Sequence, residues 1–434
     1  MIDILTEKFK FYIQKKMEHY VVQYFKAHAE VKLVVVAGSV GKTSTKIAIA
    51  TVLSQRFRVR MHEGNHNAQL SASLAILGID YPGNIKSVGA WLSVFRAAKA
   101  RIAEPTDVDI IIQELGTDRI GEIPHFGTYL QPSIAVITAV SPEHMEFFHT
   151  MDIVAQEELA AANFSAQVLI NRDDISGEYA KYLTNANVNT YGTSASAEYH
   201  FIDEDFTLET GHKGKIIVRE WQEPIAVRIK VLGEHSLRPA IAAAAVGVKF
   251  GLNATEIATG LAEIRAISGR MNVLRGVKDT IIIDDTYNAG PLASACALRA
   301  LYNLSVPQRI AVLGSMNELG DSSAVEHQAL GRLCDPNQLA WVITVGDEAE
   351  KYLAPAARAQ GCQVKICKTS LEAGGFANSV LESGAAILFK GSQNEGFLEE
   401  AVKVVLHATE EESQLVRQSA AWMQRKSAFF SKFS

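Results

Sequence analysis

Short unbroken apolar runs alternate along this chain with polar clusters and with stretches of helical spacing. The first run lies inside VKLVVVAGSVGKTSTKIAIATVLS (31–54). It predicts a buried strand over Leu33–Val36 and a tight turn at Gly38-Ser39-Val40-Gly41-Lys42-Thr43. A helix opening at Lys42 or Thr43 follows, carrying Ile47, Ile49 and Val52. Further strands are predicted at Phe57–Met61, Val108–Gln113, Ile134–Thr138 and Val168–Ile170. The last three end in the polar clusters Glu114-Leu115-Gly116, Ser141-Pro142-Glu143-His144 and Asn171-Arg172-Asp173-Asp174. From Tyr199 to Leu232 the texture changes. Lys215 to Val231 alternates as KIIVREWQEPIAVRIKV, the pattern of antiparallel strands with one wet face. Alanine-rich helices are predicted at Leu237–Phe250 and Thr255–Glu263, with a boundary near Ile267-Ser268-Gly269. Strands then recur at Thr280–Asp284, Arg309–Leu313, Trp341–Val345, Val364–Cys367 and Ala386–Phe389, with helices between them. The tail from Glu410 to Ser434 reads as one helix with a basic end.

This order predicts an α/β protein: a central P-loop ATPase-like parallel-sheet domain with a small antiparallel β element, then a C-terminal Rossmann-like domain. The expected divisions are an N-terminal amphipathic helix at 1–30, a central ATP-binding domain at 31–268 and a C-terminal domain at 269–434. The N-terminal helix gathers Ile4, Leu5, Phe9, Ile13, Met17, Val21 and Phe25 toward one side. Asp3, Glu7 and Glu18 interrupt it, so it is not a secretory signal. Packing on its own domain is the expected use of that face; its lysines also suit weak contact with an anionic membrane surface.

Composition narrows the function classes. Over 434 residues, 48% hydrophobic and 21% charged content are ordinary for a globular protein. A net charge of −6 gives no bulk attraction to nucleic acid. Cys296, Cys334, Cys362 and Cys367 form no CxxC pair and read as free thiols of a reducing cytosol. No apolar run reaches the length of a membrane span. A cytoplasmic monomer acting on small molecules is expected.

The glycine turn between strand and helix is the layout of a phosphate-binding loop. Glycines let the backbone approach an anion, and free N–H groups at the helix start point toward it. Lys42 would then neutralise phosphate charge, and the Thr43 hydroxyl would sit on Mg2+. The competing reading is a plain βα turn with an exposed lysine. Glu114 stands at a strand end of the same sheet, placed to hold a magnesium ion directly or through water. His144, at the next strand end, is a candidate for a second. Farther on, Arg270 is either a γ-phosphate clamp or a surface cation. Asp284 and Asp285 either bind ribose hydroxyls or cap the next helix.

These pieces, in this order, resemble the Mur ligase family of ATP-dependent amino-acid and peptide ligases of peptidoglycan synthesis. The stretches that carry the resemblance are AGSVGKTSTK (37–46), EGNHNAQL (63–70), ELGTDRIGEI (114–123), SPEHMEFFHTMDIVAQEE (141–158) and GRMNVLRG (269–276). They continue with IIIDDTYNAGP (281–291), LGSMNELGDSS (313–323) with His327, and LFKGSQNEGFLEE (388–400). DDTYNAGP and LGSMNELG resemble the MurF branch, which joins D-alanyl-D-alanine to a UDP-N-acetylmuramoyl-tripeptide. The resemblance implies a carboxylate activated by ATP as an acyl phosphate and then attacked by an amine. It implies nucleotide contacts from Gly38, Ser39, Val40, Gly41, Lys42, Thr43, Ser44, Arg270 and Asp285, and Mg2+ contacts from Thr43, Glu114, His144 and Glu158. Lys42, His144, Glu158 and Arg270 carry the catalytic roles it implies.

Three departures stand out. Glu158 occupies the place of a family lysine that is carbamylated to present a carboxylate to the second magnesium; it either replaces that group or faces outward on its helix. His235-Ser236-Leu237-Arg238-Pro239 lacks an asparagine expected near adenine. The phosphate loop begins near residue 37, where the family has a preceding UDP-sugar-binding domain. Two other readings therefore stand beside the first: a Mur-type ligase for a different carboxylate, and a non-catalytic nucleotide-binding scaffold.

Overall fold

A computed structural model of the chain describes residues 2–62, 64, 66–393 and 396–433, with side chains in the first helix from residue 7 onward. The predicted positions Glu63, Asn65, Asn394 and Glu395, the side chains of Ile4 and Leu5, and the chain ends Met1 and Ser434 lie outside the described residues. Contacts divide the chain into two units. One comprises Met1–Ser141, Thr150–Ile229 and Leu237–Ile264; the other comprises Pro142–His149, Lys230–Ser236 and Arg265–Ser434.

The first unit is built on β1 (Lys32–Ala37), β2 (Val59–Met61), β3 (Ile110–Glu114), β4 (Ile134–Ile137), β5 (Gln167–Asn171), β6 (Val188–Gly192), β7 (Tyr199–Thr207), β8 (Gly211–Ile217) and β9 (Ile225–Ile229). Their order in the sheet is β2-β3-β1-β4-β5-β6-β7-β8-β9. Pairing is parallel from β2 across to β7 and antiparallel for β7–β8 and β8–β9. The unbroken apolar runs are therefore strands covered on both faces, and Val34, Val35 and Val36 are fully buried. Register sets Val36 opposite Glu114 and Ala37 opposite Ile137, so the chain turns at Gly38 beside the ends of β3 and β4.

The helix that follows the turn, Lys42–Leu53, is fixed by close packing. A side chain at Gly247, in the helix Arg238–Lys249, would come within 3.2 Å of Val52. One at Gly260, in Ala254–Glu263, would come within 2.7 Å of the Val52 Cα. The N-terminal helix Ile2–Ala27 packs on this same unit, burying Ile13, Met17, Tyr20, Val21 and Tyr24. Glu18 and His125 join 2.8 Å apart beneath it. No helix among the described residues is long and apolar enough to cross a membrane.

Beyond β5, Arg238 places Nε 3.1 Å from Asp173 and Nη1 2.8 Å from Asp174, both aspartates largely buried. Burial raises the Asp174 carboxyl above its ordinary range. Asp173 stays below its own because amide hydrogen bonds from Thr193 and Ser194, with Arg238, outweigh its burial. Replacing Arg238 by leucine strands two acids in a half-apolar site and is expected to cost about 3 kcal/mol. Denaturant unfolding measures this; an unchanged midpoint would mean that the triad contributes nothing.

The second unit carries β10 (Asn272–Arg275), β11 (Ile281–Asp285), β12 (Arg309–Gly314), β13 (Trp341–Val345), β14 (Val364–Cys367) and β15 (Ala386–Lys390), ordered β10-β11-β15-β12-β13-β14. All pairs are parallel except the β10 edge, which is antiparallel to β11. Ile282, Ile310, Val312, Ile343, Ile387 and Phe389 form the centre of its core. The four cysteines are buried free thiols. The tail is not one helix. A 3-10 turn at Thr409–Gln414 is followed by a break and then the helix Ala420–Phe430. The break arises because Leu415 turns into the core and Arg417 adopts φ 58°, outside helical backbone.

Candidate functional site

The turn after β1 uses its glycines for two physical reasons. Gly38 and Gly41 have φ of +123° and +86°, where side chains are strained. A Cβ on Gly38 would also lie 2.3 Å from Thr138 Oγ1 and 2.8 Å from the Thr138 and Ala139 amide nitrogens. Ser39 fastens the turn to the end of β4, its amide donating to the Ala139 carbonyl at 3.0 Å and its hydroxyl accepting from the Ser141 amide at 2.8 Å. Half-buried Val40 completes the turn, and Ser44 lies in the first helical turn beyond it.

Lys42 opens the helix and folds Nζ back to donate to the Gly38 carbonyl at 2.5 Å. The same ammonium lies 4.0 Å from Glu158 Oε1. Glu158 Oε2 accepts from the Gly38 amide at 2.5 Å, and the residue is 1% exposed. Glu158 thus faces inward from its helix, Met151–Asn163, and the outward-facing reading is wrong. The preceding residue, Glu157, is also buried and accepts from the Gly121 and Ile123 amides, each at 2.7 Å. Consecutive helical residues point about 100° apart. One turn of helix therefore grips the phosphate-loop candidate and the loop after β3 together. Burial raises the Glu157 carboxyl above its ordinary range.

At the other edge of the turn, Thr43 Oγ1 donates to Glu114 Oε2 at 3.0 Å. Glu114 is 3% exposed and also receives Asn67 Nδ2 at 3.4 Å. Lys46 Nζ approaches it at 3.5 Å while donating to the carbonyls of His62 and Gly64. A hydroxyl and a carboxylate side by side are hard oxygen donors, and their chemistry fits Mg2+, which keeps several water and phosphate ligands. Among the described residues, no group of three or more His, Cys, Asp or Glu side chains is clustered so that it could hold a metal ion. The sequence reading missed Lys46 and Glu157. Lys46 stands one helical turn beyond Lys42, and that spacing was its only signal.

In the second unit, His144 lies in the short segment that follows β4, with Nδ1 2.9 Å from Glu318 Oε2. The structure thus gathers Lys42, Thr43, Glu114 and Glu158 at one sheet edge and pairs His144 with Glu318. The hydrogen bond from His144 holds the Glu318 carboxyl below its ordinary range. Arg270 stacks its guanidinium 4.1 Å from the centre of the Tyr287 ring. It is flanked by left-handed backbone at Gly269 and Met271, φ +69° and +51°. Asp284 is fully buried and accepts from the Thr286 hydroxyl at 2.6 Å and the Gly269 amide at 3.0 Å, so it holds the turn. Burial pushes its carboxyl up to about 6 despite those bonds. Asp285 pairs with buried Lys390 at 2.6 Å. His327 Nε2 accepts from the Met316 amide at 2.9 Å, which leaves Nδ1 to donate to the Ser323 carbonyl at 2.8 Å.

Two family profiles match the chain: the Mur ligase middle domain over residues 36–247, and the Mur ligase glutamate ligase domain over 269–393. Together they span well over half of it. The chain belongs to the Mur ligase family. This Mur ligase is 28% identical over 321 residues to the UDP-N-acetylmuramoyl-tripeptide–D-alanyl-D-alanine ligase of Bacillus subtilis, covering 73% of the present chain and 63% of that protein. It thus spans less than two thirds of that relative's length. In structure it is similar to MurF from Acinetobacter baumannii, with TM-score 0.73 and 22% identity over 90% of this chain and 80% of that one. It is likewise similar to the MurF ligase of Thermotoga maritima in complex with ADP, with TM-score 0.69 and 22% identity over 90% and 84%. These likenesses agree with the mixed α/β architecture of both units, a parallel-dominated sheet in each.

Proposed function

We propose that this Mur ligase is an ATP-dependent amide-bond ligase that joins D-alanyl-D-alanine to a UDP-N-acetylmuramoyl-tripeptide. The observation that carries the reading is the meeting of Thr43 and Glu114 at the mouth of a glycine turn that also presents Lys42. A substrate carboxylate oxygen attacks the γ-phosphorus of ATP, and ADP leaves. The amine then attacks the acyl carbon of the acyl phosphate, inorganic phosphate leaves, and the amine loses a proton. Lys42 neutralises charge on the transferring phosphoryl group, and the amides of residues 40–44 cradle the phosphates, those of Gly38 and Ser39 being held by Glu158 and Ala139. Thr43 and Glu114 would hold Mg2+, and Glu158 in the first unit and His144 in the second are each candidates for contact with a further ion. Bound Mg2+ supplies further charge neutralisation. Arg270 meets the γ-phosphate, and Asp285 meets the ribose. ATP supply places the reaction in the cytoplasm.

The test is a matrix of carboxylates against amines, with ATP and Mg2+, read by phosphate release and by product mass. The expected result is release that depends on both substrates and a product heavier than the tripeptide by one D-alanyl-D-alanine less one water. Exclusive use of a non-muramyl carboxylate would replace the substrate assignment. ATP binding without ADP formation for any acceptor would make the chain a scaffold.

A further inference from the structure

We propose that Arg417, in the break between the 3-10 turn and the last helix, is a positioning residue that holds the Arg270–Tyr287 pair where a terminal phosphate would meet it. The inference rests on the reading of Arg270 as a γ-phosphate ligand.

Arg417 is almost wholly buried and fully engaged. Its Nη1 donates to the Tyr287 carbonyl at 3.0 Å and its Nη2 to the Thr286 carbonyl at 2.6 Å. Nε and Nη2 also grip the two oxygens of Glu399, at 2.8 and 2.7 Å. One planar guanidinium thus ties the loop after β11 to the helix Glu399–Val405. Its neighbour Val416 fills the space over Gly269, where a Cβ would lie 2.8 Å from Val416 Cγ1 and 3.0 Å from the Tyr287 amide nitrogen. That amide donates to the Gly269 carbonyl at 2.9 Å. Residues 416 and 417 therefore clasp both sides of the turn from which Arg270 projects.

The backbone at Arg417 supports a dedicated role. A non-glycine residue at φ 58° is retained where its surroundings over-determine it, and here the side chain's four hydrogen bonds do so. Lysine cannot replace this geometry, because an ammonium does not span a carboxylate and two carbonyls in one plane. Structural and positioning effects can be separated here. Glu399 is also paired with Lys426, Nζ lying 2.9 Å from Oε1, so loss of Arg417 leaves that carboxylate neutralised. Lys426 in turn anchors the last helix without touching the Thr286–Tyr287 loop in any of its ion pairs.

The experiment compares R417K, R417M, K426M and R270A in the full chain, with R417M also made in the R270A background. R417K and R417M are expected to lower kcat about ten- to a hundredfold, the range for small displacements of reacting groups, with the KM for both acceptor substrates within about twofold. K426M should lower Tm at least as much as R417M yet keep kcat within about twofold below its melting range. R417M should add nothing to R270A, since it acts through that residue. If R270A leaves kcat intact, the reading of Arg270 fails. If R270A is impaired while R417M is normal, or the two losses multiply, the positioning role is overturned.

Discussion

Replacing Lys42 by methionine is expected to lower kcat about a thousandfold, the largest single effect predicted for this chain. The magnitude is that of removing one preorganised charge from developing phosphoryl charge in a site shielded from water. The lysine also contributes to stability, since its ammonium turns back onto the Gly38 carbonyl and lies 4.0 Å from buried Glu158. Only the first contact belongs to the loop itself; methionine keeps the stem and the helix start while deleting the charge. The expected destabilisation is about 1–3 kcal/mol, from weakening the cationic side of buried Glu158. Assays below the melting range keep the two effects apart. Phosphate release within tenfold of wild type would remove Lys42 from the phosphoryl-transfer role and leave the glycine turn as a structural βα connection.

The parts of the molecule legible in the sequence are those fixed by local pattern. β1, its glycine turn and the helix after it are written in an unbroken apolar run followed by residues that only one backbone path accommodates. β13 and β14 fall where their apolar runs place them. β6 and β10 were not legible. VNTYG interleaves polar residues, and NVLR forms an edge whose pairing is set by β11 across a chain reversal. The same limit applies to the site. Lys46, Glu157 and Arg417 are charged residues on segments that pattern alone assigns to solvent, yet each is buried or nearly so by partners far away in sequence. Buried charge becomes legible only once its partners are in place. For the tail, helical spacing runs on through Ser413–Ser419, and nothing local announces that Arg417 will be held by two distant carbonyls.

Glu158→Gln carries the second large effect: an expected ten- to hundredfold fall in kcat, with a higher Mg2+ concentration needed for half-maximal rate. The substitution keeps size and shape, and the amide oxygen still accepts from the Gly38 amide. It removes the charge and turns an NH2 group toward Lys42 in a site where the carboxylate is 1% exposed. Glu157→Gln is the matched control. Its carboxylate serves the Gly121 and Ile123 amides with separate oxygens, and glutamine has only one acceptor to offer them. That change is expected to cost about 1–3 kcal/mol of stability and to leave the Mg2+ dependence alone. The carboxylate is built into the side chain at Glu158. Turnover of the wild-type chain should therefore be the same in carbon-dioxide-depleted and bicarbonate-containing buffer, whereas Glu158→Lys should respond to bicarbonate if the site can form a carbamate. If Glu158→Gln kept both turnover and Mg2+ dependence, the residue would be a clamp on the glycine turn and nothing more. The neighbouring glutamates would then differ only in which loop they hold.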